Sequence, residues 1–153
     1  MLIIGEKLNG TLKRAAVAIS TRDVTFVQDM ARCQVAAGAD YLDLNAGTPP
    51  DREPEDLTWL VDTVQAAVDV PLCLDSANPA ALAAALARVA QPPLINSISG
   101  EARRLEGVLP LVPGRACGVI ALLLDDAGIP RDVEGRLAVA RRILERTHAA
   151  GVP

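Results

Sequence analysis

Tyr41-Leu42-Asp43-Leu44-Asn45-Ala46-Gly47 alternates apolar and polar residues with period two and ends in glycine. That alternation is the mark of a strand with two unlike faces, because successive side chains leave a strand in opposite directions. Leu42 and Leu44 share one face, Asp43 and Asn45 the other. Four more short apolar runs read as strands, at residues 2–5, 72–74, 94–95 and 118–124. Three of the four also give way to polar groups: Glu6 and Asn9 after the first, Asp75-Ser76 after 72–74, and Asn96-Ser97-Ile98-Ser99 after 94–95. Four consecutive strands are therefore predicted to end in a carboxylate or a carboxamide.

The stretches between the strands carry helical periodicity. Residues 24–37 put Val27, Met30, Ala31 and Val35 on one face, and residues 56–68 do the same with Leu57, Leu60, Val61 and Val64. Asn78-Pro79 opens a helix over 79–90 with a capping side chain followed by proline at the first position. Residues 101–112 align Leu105, Val108 and Leu109. Residues 133–150 repeat Leu137, Ala140, Ile143 and Leu144 before Gly151, a C-cap residue, and Pro153.

Strand and helix thus alternate five times with short joints, the pattern of an α/β protein with a parallel sheet. A (β/α)8 barrel takes about 250 residues, or roughly 31 per unit, so five units take about 155. The chain has 153. The predicted fold is a parallel barrel of the TIM type with about the first five units present, residues 1–153 being the N-terminal portion of a single domain that stops before the barrel closes. An open doubly wound sheet fits the same length. Against it, no glycine-rich phosphate loop follows the first strand.

Composition narrows the function. Half of the residues are apolar, yet the only aromatics are Phe26, Tyr41 and Trp59, so the core must be aliphatic, as in a buried parallel sheet. Net charge is −4, and without a basic stripe or stacking aromatics no nucleic-acid partner is expected. Arg103-Arg104 and Arg141-Arg142 read as solvated helix faces. Cys33, Cys73 and Cys117 are isolated and His148 is the only histidine, which leaves no zinc or disulfide pattern. Residues 1–6 do not resemble a signal peptide, and no run approaches the ~18 apolar residues of a membrane span, so the cytoplasm is the expected setting.

Parallel strands bring their C-terminal ends to one face, where barrel enzymes keep their active sites. Asn78 and Ser99 read as helix caps. Asp43 and Asn45 point instead into the barrel, where buried polar groups need partners. A polar ligand with a planar, amidine-like edge suits such groups, since carboxylates and carboxamides make paired hydrogen bonds to it. Glu6, Asp43 and Asp75 could offer oxygens to magnesium. Asparagines anchor it poorly, and no metal is expected. A Ser–His or Cys–His pair is not available, and Lys7 and Lys13 lie too early for a Schiff-base lysine.

Several of these segments resemble a known family. Leu2-Ile3-Ile4-Gly5-Glu6-Lys7-Leu8-Asn9-Gly10, Leu42-Asp43-Leu44-Asn45-Ala46-Gly47, Leu72-Cys73-Leu74-Asp75-Ser76, Ile95-Asn96-Ser97 and Gly128-Ile129-Pro130 are similar, in order, to the methyltetrahydrofolate:corrinoid/iron–sulfur protein methyltransferases. More distantly they resemble the folate domain of cobalamin-dependent methionine synthase and dihydropteroate synthase. The resemblance implies a pterin-binding barrel in which Asp75 and Asn96 hydrogen-bond the pterin ring and Asn9, Asp43 and Asn45 line the same cavity. It implies methyl transfer from N5 of methyltetrahydrofolate to cobalt(I) of a corrinoid held by a partner protein of the corrinoid/iron–sulfur type, and a homodimer at full length. N5 leaves poorly unless protonated or strongly hydrogen-bonded as its bond breaks. The family's sixth-strand aspartate and seventh-strand asparagine, the latter tied to N5, are expected beyond Pro153, and with them the catalytic residues. A dihydropteroate synthase-like enzyme is the second reading, although Glu6-Lys7-Leu8-Asn9-Gly10 does not resemble that family's opening loop. A non-catalytic pterin-binding or assembly module is the third, and its two open sheet edges would invite association.

Overall fold

In the computed structural model, which describes residues 1–152, Leu42 and Leu44 are sealed from solvent beneath a layer of helices. Five strands form one sheet: β1 (Ile4–Asn9), β2 (Tyr41–Asn45), β3 (Leu72–Asp75), β4 (Leu94–Ser99) and β5 (Gly118–Leu122). Every pairing is parallel, and the spatial order is β1-β2-β3-β4-β5. A doubly wound sheet reverses direction at a switch point. This one does not, so the sheet is a five-unit arc of the (β/α)8 barrel type. Right-handed crossovers then carry the connecting helices to a single face.

Those helices are α1 (Lys13–Thr21), α2 (Val24–Ala36), α3 (Glu53–Gln65), α4 (Pro79–Leu86), α5 (Ala102–Val108) and α6 (Val133–Ala149), with a 3-10 turn at Leu109–Leu111. Leu42, Leu44, Leu72, Leu74 and Ile95 from the sheet pack with Val27, Ala31, Leu57, Leu60, Val64 and Leu82 from the helices. Each buried leucine is worth about 1.5–3 kcal/mol against exposure, which makes this aliphatic layer the main source of stability.

The structure departs from the sequence reading at several joints. Helix α1 was not expected: its N-cap residue, Leu12, makes no side-chain cap, and Arg22 ends it in a left-handed conformation (φ 56°) where glycine is usual. Strand β1 runs on to Asn9 through a shift in register between Gly5 and Leu8. Strand β4 runs on to Ser99 through a similar shift between Asn96 and Ile98, with the Asn96–Ser97 peptide bond cis. Helix α3 begins at Glu53, with proline and three acidic residues in its first turn, all favourable near a helix N-terminus. Helix α5 stops at Val108 because Pro110 lacks the N–H that would continue it. At α6 the Asp132 side chain accepts from the Gly135 N–H (2.7 Å), and Gly151 follows the helix with φ 77°. Of the residues expected on its packing face, Ile143 is buried while Leu137 and Leu144 stay exposed, and Val139 shares the contact with Ile143. Pro153 lies outside the described residues. Among the described residues no helix is long and apolar enough to cross a membrane.

Candidate functional site

Register places the polar strand ends in two layers on the face opposite the helices. In the outer layer Asn9 of β1 stands beside Asn45 of β2, and Asp75 of β3 beside Asn96 of β4. Asn45 and Asp75 are joined directly, the Asn45 Nδ2 donating to Asp75 Oδ2 (2.8 Å). In the layer beneath, Asp43 stands beside Cys73, and Cys73 beside Leu94. The two layers are tied by Asn96 Nδ2, which donates to Asp43 Oδ1 (3.1 Å). All five residues expected at the site are thus brought together.

Their free atoms decide what the site can hold. Asn9 spends its side-chain carbonyl on a local turn, accepting from the Thr11 N–H (2.9 Å) and the Thr11 hydroxyl (2.7 Å), which leaves its amide nitrogen. Asn45 and Asn96 both turn their nitrogens to a carboxylate. Asn45 Oδ1 is left buried with no partner, a state that costs about 1–3 kcal/mol unless something donates to it. Neither Asp75 Oδ1 nor Asn96 Oδ1 receives a hydrogen bond among the described residues. The outer layer therefore offers acceptors from Asn45, Asp75 and Asn96 and a donor from Asn9. A flat heterocycle with an amidine-like donor edge matches that set.

Asp43 is only 2 % exposed. Burial pushes its carboxyl above the ordinary range, hydrogen bonds from Asn96 and Cys73 pull it back, and the Asp75 and Glu6 charges push it up again. Burial also raises the Cys73 thiol, which its bond to Asp43 raises further, so Cys73 is a held thiol and not a nucleophile. Glu6, Asp43 and Asp75 do not gather into a group that could hold a metal ion, among the described residues.

Several supporting residues gave no signal in the sequence. Gln34 of α2 reaches back to β1, its Oε1 accepting from the Lys7 N–H (2.8 Å), and so takes the ladder's place at the register shift. Ser76, just past Asp75, donates to Glu53 at the start of α3 (2.5 Å) and accepts from the Asn78 N–H (2.9 Å), which fixes the end of β3. Asn78 caps α4 as expected, accepting from the Ala80 N–H (3.0 Å). Ser99 does not cap a helix: it ends β4 and bonds to Glu101 through both its hydroxyl (2.8 Å) and the Glu101 N–H (3.3 Å). Two arginines expected in solvent are engaged. Arg104 is half-buried and donates to the Ser76 carbonyl (3.3 Å), and Arg142 pairs with Asp125 (2.7 Å) after β5.

Residues 5–153 match the family described as pterin binding enzyme. The chain is 42 % identical over 147 residues to a methylcorrinoid:tetrahydrofolate methyltransferase of Eubacterium limosum, an alignment covering 95 % of this chain and 54 % of that protein. It is 28 % identical over 150 residues to a methionine synthase of Mycobacterium leprae, covering 94 % of this chain and 12 % of that protein. Against a methionine synthase of Mycobacterium tuberculosis the identity is 27 % over 150 residues, with 94 % and 13 % covered. The chain spans about half the length of the first of these relatives and about an eighth of the other two.

Proposed function

The chain belongs to the pterin-binding enzyme family, and on that premise we propose that it supplies the pterin-binding wall of a methyltransferase working between methyltetrahydrofolate and a corrinoid. The observation that carries the proposal is the outer layer of Asn9, Asn45, Asp75 and Asn96, with its orphaned Asn45 oxygen. The 2-amino group and the neighbouring ring N–H of a reduced pterin are donors in one plane, and the Asp75 carboxylate is the group suited to take both.

In the reaction proposed, the N5–CH3 bond breaks with its electron pair left on nitrogen, which takes up a proton. The methyl group joins cobalt(I) and the product is methylcobalt(III). The relative from Eubacterium limosum is named for the opposite direction. One site serves both, because the forward and reverse steps share a transition state. What residues 1–152 contribute is binding and orientation: they hold the ring so that N5 presents its methyl group to the corrinoid. The partner proposed is a corrinoid protein of the iron–sulfur type, the assembly a homodimer and the setting the cytoplasm. The first two follow from the family resemblance.

The test is methyl exchange between methyltetrahydrofolate and cob(I)alamin, followed through the cobalt absorbance in both directions, with calorimetric titration of the folate. Asp75→Ala is expected to weaken folate binding by about 1–3 kcal/mol, the cost of unpairing a buried polar edge. Both measurements are made on a protein in which the barrel is completed: unchanged affinity in the Asp75→Ala variant would remove Asp75 from the site, and absence of methyl exchange by the unaltered completed protein would overturn the proposal.

A further inference from the structure

Asp43 sits one layer below the outer ring, almost wholly buried, and holds the nitrogen of Asn96. A carboxamide has two unlike ends that interconvert by a half-turn about its last bond, so an asparagine in a binding site can face a ligand as donor or as acceptor. A carboxylate beneath it removes that freedom, because a carboxylate only accepts. We propose that Asp43 is a positioning residue: through its bond to Asn96 Nδ2 it turns the Asn96 oxygen toward the ligand and makes this part of the wall select a donor edge.

The same device occurs beside it. Asn45 gives its nitrogen to Asp75, and its own oxygen is left buried without a partner. Two asparagines, one on β2 and one on β4, are thus set the same way round by two aspartates, where chance orientation would mix donors and acceptors. The proposal rests on the pterin reading for the identity of the ligand, but the orientation of Asn96 can be tested without one.

The experiment is a swap. Asn96→Asp alone places two carboxylates within 3.1 Å of each other in a buried layer, where like charges repel. Adding Asp43→Asn restores a donor–acceptor pair with its direction reversed: the new carboxamide below donates to the new carboxylate above, and an oxygen still faces the ligand. The variants are compared in the whole protein by thermal unfolding and by calorimetric titration with methyltetrahydrofolate. The single variant Asn96→Asp is expected to bind at least about tenfold more weakly, and the double variant to return to within about threefold of the unaltered protein, a coupling of the size found between directly bonded residues. Unfolding temperature should fall and recover in parallel.

Recovery of stability without recovery of binding would reduce Asp43 to a structural role and overturn the proposal. So would a double variant no better than the sum of its parts. Should Asn96→Asp fail to fold, the double variant still decides, since only a restored pair lets it fold and bind. If the unaltered protein binds no folate, the pterin reading fails, while the unfolding cycle still reports whether Asp43 orients Asn96.

Discussion

Asp43 shows how much a single residue's place was legible before any coordinate. The alternation of residues 41–45 put it on the same face as Asn45, and that is where it lies. Its partners were not legible. Asn96 is 53 residues away and Cys73 is its register neighbour on another strand, and nothing in a linear pattern links them. Titration should expose the cost of burying it. Folding raises the carboxyl of Asp43 from 3.8 chiefly by burial, while Asn96 and Cys73 oppose the rise and Asp75 and Glu6 add to it. A raised folded value means that the contribution of Asp43 to stability is full below about pH 3.8 and is lost as pH climbs through the folded value. Asp43→Asn has no proton to lose and keeps an oxygen for Asn96. Its stability relative to the unaltered protein should therefore rise from about pH 4 upward and then level off, as measured by denaturant unfolding across pH. A constant difference across that range would mean that Asp43 is not strained by its burial.

At the scale of the element, the strands and the five expected helices were readable because their apolar spacing is regular. Helix α1 was missed since its buried residues, Ala15, Ala18 and Ile19, are small and few, and neither end carries a recognisable cap. The course of β1 was hidden for a different reason. Glu6 and Lys7 are exposed residues inside a strand, at a shift in register that only the neighbouring helix explains. Gln34 fills that irregularity, and Gly5 leaves the room: a methyl group on Gly5 would lie 2.7 Å from Gln34 Oε1 and 3.2 Å from a Leu42 methyl. Gly5→Ala is thus expected to displace Gln34, leave the Lys7 N–H without its acceptor and cost about 1–3 kcal/mol in denaturant unfolding. The same change should loosen Asn9 at the end of the strand and weaken ligand binding. A variant as stable as the parent would show that Gln34 moves aside without penalty and does not brace β1.

For the whole molecule, the strand order settles the choice between barrel and doubly wound sheet that length alone left open. An unreversed β1-β2-β3-β4-β5 arc bonds β1 and β5 on one side each. Its concave face carries Asp43, Asn45, Asp75 and Asn96, while its convex face is sealed by helices. From the end of β5 onward, Leu122, Leu123, Ile129, Val133, Leu137 and Leu144 are all exposed, several along one side of α6. Unpaired edges and contiguous apolar side chains are both surfaces on which chains associate. The 153-residue polypeptide on its own is therefore expected to sediment as oligomers, or to aggregate, at micromolar concentration. Lys or Glu at Leu137 and Leu144 together should reduce that association, because both side chains are solvent-exposed and contribute little to the core. A sharp species at 16.0 kDa would mean that the β1 and β5 edges are inert as they stand. Association unchanged by the α6 substitutions would assign it to the strand edges, where a proline in β5 is the next change to make, since it removes a ladder N–H and leaves the helix layer untouched.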